Sequence, residues 1–282
     1  MNPLLLALVE AGVISVADAE RIDRQLSPDA ARDYAEGLIT QSFARGLNAQ
    51  QRRILDVLND TEGNPTPRQL SRLWQGEDDL LWASVGEDLR SIAIDRAVSA
   101  SVALGDDSLW QLVNEEVLSW VDDYYVNSDA GNFGSIPNLN ETSKNAFAQA
   151  FRDWQRGELA TAGYRDGLPE LIRALEPTFG AVRVEAIAVT EYTRIASQAE
   201  LAAGNANPDI EGWIYSTAND SRVTELCRSG EGAIMLKGED TFSDGKGPPP
   251  RHVRCRSGIS QISGPALEAL RRDGLVRERE NG

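Results

Sequence analysis

Cys227, His252 and Cys255 are the residues of this chain with the clearest ligand chemistry, and they fall within one stretch, Val189 to Ile262. The protein has 2 cysteines and 1 histidine, so that stretch holds all of them. Thiolates and an imidazole are donors suited to zinc, and an H-x-x-C step lets two ligands reach one ion from a tight turn. A closed structural site takes four ligands, and no paired C-x-x-C is present: Gly230 stands where the second cysteine would be. Asp220 is the best fourth candidate. Two plainer readings of the same residues stay open. One is a Cys227–Cys255 contact, covalent or merely close. The other is two small buried cysteines with His252 hydrogen-bonded beside them. All three readings expect the elements carrying Cys227 and Cys255 to be adjacent, with His252 on the same side. The sequence requires no cofactor, and zinc is one of the three readings.

Other reaction machinery is missing from the motifs. There is no P-loop, no dinucleotide-binding glycine fingerprint, no H-E-x-x-H and no G-x-S-x-G elbow. Any triad would have to use His252, and Cys255 is too close along the chain to be aimed by it. Arg254 occupies the position where a zinc deaminase carries its general-acid glutamate. The GKGPPP turn has glycines, but its prolines lack the N–H donors of a phosphate cradle. These residues make no positive case for an enzyme. The competing reading is a zinc-dependent enzyme with Asp220 or Glu191 as base.

Composition narrows the partners. A net charge of −16 with 44 acidic and 28 basic residues opposes phosphate backbones, so protein partners are expected over specific nucleic-acid binding. Arg68 and Arg72 in PRQLSRLW share a helix face, but Glu77, Asp78 and Asp79 follow directly, and a solvated face is expected there. Two cysteines are no secreted disulfide framework, which suits an intracellular chain. The apolar run Leu4–Val9 lacks a preceding basic residue and is cut by Glu10; it reads as a first amphipathic helix rather than a signal or a membrane span.

The elements that must position the cluster follow from periodicity. Residues 1–126 read as a helical bundle. Its stripes are Ile14, Ala17, Ile22 and Leu26; Tyr34, Leu38 and Phe43; Ile54, Val57 and Leu58; Val85, Leu89 and Ile92; and Leu109, Val113 and Val117. The Asn/Gly/Ser-rich stretch 127–140 reads as a linker, with Asn138 and Glu141 at capping-box spacing. Phe147, Ala150, Phe151 and Trp154 mark a helix beyond it, and Leu168 to Leu175 a second, stopped by Pro177. A third helix carries Val184, Ile187, Ala188, Ile195 and Ala199, and Glu191 lies inside that apolar stripe. A carboxylate there must be paired, with Arg222 or Arg256 preferred over Arg194 as the partner. Trp213–Thr217, Ala233–Leu236 and Ile259–Ile262 read as short strands. Residues 264–282 read as a charged helix and a solvated tail. The expected class is α+β and predominantly helical, a bundle followed by a smaller module (141–263) with a short sheet.

The ordered set in the second half resembles a family. Thr190, Glu191 and Arg194 on one helix are followed by Trp213, and then by Asp220, Arg222, Thr224 and Cys227. Pro249, Pro250, His252, Cys255, Arg256 and Ser257 complete the set. This order is similar to the C-terminal domain of phage Mu F-like minor head (head-morphogenesis) proteins, over roughly Glu141 to Ile262. The resemblance implies a structural minor head protein of a tailed phage or prophage. Its implied partners are the portal and other head proteins (major capsid or scaffold), and its implied place is the virion head after assembly in the host cytoplasm. A part in genome delivery is a further implication. It also gives Thr190, Glu191, Arg194, Trp213, Arg222 and Arg256 as the structural motif.

Overall fold

In the computed structural model, residues 28–102, 109–127, 134–159, 168–218 and 221–273 are described. The first-helix stripe from Ile14 to Leu26, Asp220, and the tail beyond Asp273 lie outside them. Helix α1 spans Pro28–Asp60, α2 Pro67–Arg72 and α3 Glu77–Val102. Helix α4, Trp110–Asp122, runs on into a π-helical turn over Asp123–Asn127. Then come α5 (Ile136–Gln155), α6 (Leu168–Phe179) and α7 (Ala181–Ala206). Strand β1 (Ile210–Ser216), the single turn α8 (Glu225–Arg228), β2 (Ile234–Leu236), β3 (Gly258–Ser263) and α9 (Gly264–Arg272) complete the order. The class is predominantly helical α+β, as expected. No helix among the described residues is long and apolar enough to cross a membrane.

Several boundaries differ from the sequence reading for physical reasons. The stripes before and after Leu47 belong to one helix, α1, because no breaker stands between them. Gly46 is the place where α3 comes close: a Cβ there would lie 2.6 Å from the Leu81 side chain. The cap of α5 is Ser135, whose hydroxyl accepts from the Asn138 N–H at 3.4 Å, rather than Asn138 itself. Pro137 in the first turn needs no N–H partner, so the helix starts earlier than the Asn138–Glu141 pattern indicates. Pro177 sits inside α6, which ends only at Phe179, just before Gly180.

One hydrophobic core joins Phe43, Leu47, Leu89, Val117, Tyr125, Phe147, Leu171 and Ile195, side chains of α1, α3, α4 with its π turn, α5, α6 and α7. The expected division at 127–140 therefore meets a continuous core, and 136–140 is already helix. A polar network inside it ties α1, α3 and α5. Arg53 donates to Glu77 at 2.8 and 2.6 Å, and Gln50 reaches both Glu77 (2.9 Å) and Asn140 (3.0 Å).

The sheet is antiparallel in the order β2-β1-β3, with Trp213 opposite Met235 on one side and Gln261 on the other. It carries a second core of Trp213, Tyr215, Cys227, Met235, Phe242, Cys255 and Ile259. Leu267 of α9 closes a third, smaller cluster against Ile234 and Ile262, so this last helix is packed and not merely solvated. The polar connection Glu239–Lys246 is a built loop: Phe242 is fully buried, edge-on to Tyr215, and Ser243 N–H donates to the Ile234 carbonyl.

Trp213 couples sheet to helix. Its Nε1 donates to the Glu200 carbonyl at 3.0 Å, and the ring lies on Gly204, where a Cβ would come within 2.8 Å of it. The ring cannot swing away while that hydrogen bond holds. Gly204→Ala should therefore cost roughly 1–3 kcal/mol by overpacking, against a helix-propensity gain of at most about 1 kcal/mol. Urea unfolding checks this, the expected sign being a lower midpoint.

Candidate functional site

Helix α7 is the platform of the site, and its spacing explains why. Fourteen of its residues are buried, including Thr190, Glu191 and Thr193, so several of its faces are covered by neighbours. Thr190 and Thr193, three apart on one face, hold the loop that carries Cys255. The Arg254 N–H donates to Thr190 Oγ1 at 2.8 Å, and Thr190 in turn donates to the Ala186 carbonyl. Thr193 Oγ1 donates to the Cys255 carbonyl at 2.6 Å and accepts from Arg32 of α1 at 3.0 Å. Arg254 takes a left-handed backbone conformation (φ 60), which turns the chain back so that the Cys255 N–H meets the His252 carbonyl.

Opposite this loop, α8 presents Cys227 from its buried side. The Cys227 and Cys255 sulfurs are 3.7 Å apart, both free thiols, and His252 Nε2 lies 3.0 Å from Cys227 Sγ. The three ligand atoms lie within 4.8 Å of one another. The three residues expected to converge thus lie together. Its fourth candidate, Asp220, lies outside the described residues. His252 Nδ1 faces the Val253 carbonyl at 2.7 Å, which accepts only, so Nδ1 carries the hydrogen. Nε2 faces the Cys227 sulfur and the Thr224 hydroxyl, each at 3.0 Å.

The two thiols differ electrostatically. Burial pushes the Cys227 thiol up, but hydrogen bonds at Ser257, Tyr215 and Cys255 and the adjacent His252 outweigh it and bring it down to about 7. Burial keeps Cys255 above the ordinary thiol range. Behind the cluster, Arg251 stacks 3.7 Å above the Tyr215 ring and donates to Asp244 at 2.6 Å, with only 4% of its side chain exposed. Gly230 makes room for that pair, since a Cβ there would collide with both Arg251 and Asp244. No spacing rule foretells this use of Gly230, Asp244 and Arg251, which come together only through the fold.

Glu191 forms a second centre on another side of α7. It is 1% exposed, as its place in the apolar stripe required. Its partner is Arg194, whose Nε donates to Oε2 at 2.9 Å; Tyr125 Oη donates to the same oxygen at 2.8 Å. The preference for Arg222 or Arg256 does not hold. Arg256 turns toward Glu36 of α1, and Arg222 is exposed. The i,i+3 geometry lets Arg194 reach the carboxylate without leaving its own helix. Its guanidinium also lies 4.8 Å over the Tyr124 ring. Burial opposes the charge of Arg194, and the Glu191 carboxylate more than restores it. Burial, reinforced by the same carboxylate, holds the Tyr125 hydroxyl well above its usual range, so it acts as a donor. Gly134, at φ 94, leaves the space in which Glu191 Oε1 sits.

The family model described as "Phage Mu protein F like protein" matches residues 163–260. The described part of that stretch contains α6, α7, the Trp213 strand and the complete cysteine–histidine turn. Over it the chain is similar to phage Mu F-like proteins, which bears out the resemblance read from the motif order. No curated protein and no solved structure matches the chain.

Removing the Glu191 carboxylate leaves Arg194, 17% exposed at its side chain, without its buried counter-charge. Glu191→Ala should destabilise the protein by roughly 3–5 kcal/mol, the range for broken buried pairs. Tyr125→Phe should cost about 1.5–3 kcal/mol, because a hydrogen bond to a charged acceptor is lost. Chemical denaturation of the three proteins checks both values and their order.

Proposed function

We propose that this protein is a minor head protein of a tailed phage or prophage that acts in head assembly by binding other head proteins. The observation that carries this reading is the family match over 163–260, a stretch in which Thr190, Glu191, Arg194 and Trp213 have structural work. Thr190 and Thr193 hold a loop, Glu191 and Arg194 pair in the core, and Trp213 ties sheet to helix. A scaffold built this way suits a part in an assembly better than a reaction centre. Glu191 is engaged by Tyr125 and Arg194, which leaves it poorly suited to act as a base. The portal is the favoured partner, with the major capsid or scaffold protein as the others. The protein would assemble in the host cytoplasm and stay in the virion head, with a part in genome delivery as a further role.

The net charge of −16 supports protein over duplex partners. A surface of that sign repels phosphate out to about a Debye length, roughly 8–10 Å at physiological salt. Co-expression with the portal and capsid proteins of the same genome, followed by affinity capture, should recover the portal. Filter binding to duplex DNA should stay weak at low salt. Tight, steeply salt-dependent DNA binding without capture of either head protein would overturn the reading.

A further inference from the structure

The cysteine–histidine cluster is not used by the head-protein reading, and the distance between its two sulfurs is that of a coordination shell. A tetrahedral zinc ion with Zn–S bonds of about 2.3 Å sets its sulfurs about 3.8 Å apart. The Cys227 and Cys255 sulfurs are 3.7 Å apart. The edge from Cys227 Sγ to His252 Nε2, 3.0 Å, has to widen by about half an ångström to admit the ion. His252 is half-buried and belongs to a loop turn, so that movement is open to it. Its Nδ1–H is held by the Val253 carbonyl, the outer-shell bond that aims a histidine Nε2 at a metal.

Two further features fit an ion. Both thiols are at most 2% exposed, so a bound metal would be shielded from bulk chelators. Beside them opens a cleft of about 10 Å3, bordered by Val223, Cys227, His252 and Ser257, which holds about one water-sized species. Two thiolates neutralise a dication, so the arginines that also border this cleft face no added positive charge. Each thiol gives up its proton to solvent as the ion enters.

We propose that Cys227, His252 and Cys255 bind a zinc ion, with water in the fourth position, as a cross-brace between α8 and the 251–257 loop. The brace completes a chain of restraints. The loop is already fixed to α7 by Thr190 and Thr193, and the ion would fix α8 to the loop. This inference concerns the stability of the module and does not depend on which head protein the chain binds.

The test uses the full chain purified under reducing conditions. Elemental analysis should find close to one equivalent of zinc, and cobalt substitution should give visible bands with thiolate-to-cobalt charge transfer. Cys255→Ser and His252→Asn should drop the metal content to near zero. Because His252 is half-buried, His252→Asn should keep the wild-type circular dichroism, which separates lost metal from lost fold. Adding EDTA with heat should lower the Tm of the wild type and leave that of His252→Asn unchanged. Three results would overturn the proposal: a protein isolated metal-free that shows no cobalt bands; equal metal content in the variants; or a mass two hydrogens lighter that reports a Cys227–Cys255 disulfide.

Discussion

A carboxylate buried in an apolar helix stripe must be compensated where it lies, and in this protein that requirement falls on Glu191. Burying an ion costs several kcal/mol unless charge and hydrogen bonds are supplied locally. Arg194 supplies the charge from the same helix, and Tyr125 supplies a hydrogen bond from the π turn that follows α4. The extra residue of a π turn resets the helical phase, and here Tyr124 and Tyr125 both face Glu191 and Arg194. The aromatic pair packs edge-on at 5.0 Å, with Trp120 stacked on Tyr124. Glu191 thereby adds a polar tie between the π turn and α7 to the apolar core that they share.

The rest of the architecture hangs on the same helix. Arg32 of α1 lies over Tyr192 and bonds Thr193, while Thr193 holds the Cys255 carbonyl. The cysteine–histidine turn is thus anchored to α7 and, through Arg32, to α1. At its far end α7 takes the Trp213 indole on Gly204, and Lys237 bonds the carbonyls of Gly204 and Asn207 that the helix end leaves open. Helix, sheet and loop each meet α7 through a polar contact set within apolar packing. That combination fixes geometry more tightly than hydrophobic contact alone.

Much of this was legible in the residue order. The apolar spacing of Ile187, Glu191 and Ile195 required a buried, compensated carboxylate, and β-favouring runs marked all three strands. The convergence of Cys227, His252 and Cys255 followed from their crowding into one stretch of the chain. The partner of Glu191 was not legible, because Tyr125 stands 66 residues away and several arginines had the right chemistry. Nor was the continuous core: an Asn/Gly/Ser-rich segment looks the same whether it separates two domains or crosses between helices of one. The Arg251–Asp244 pair over Tyr215 escaped for a similar reason, since the space for it is made by Gly230 on another element. Local patterns report which faces are buried; which long-range polar groups meet is decided by packing.

The Glu191 carboxylate couples the π turn to α7, and a double-mutant cycle measures that coupling directly. Unfolding free energies of the wild type, Tyr125→Phe, Glu191→Gln and the double variant give the interaction energy between the two side chains. Clear non-additivity is expected, in the range of about 0.5–3 kcal/mol found for residues in contact. Additivity to within about 0.3–0.5 kcal/mol, as for distant and independent sites, would contradict it.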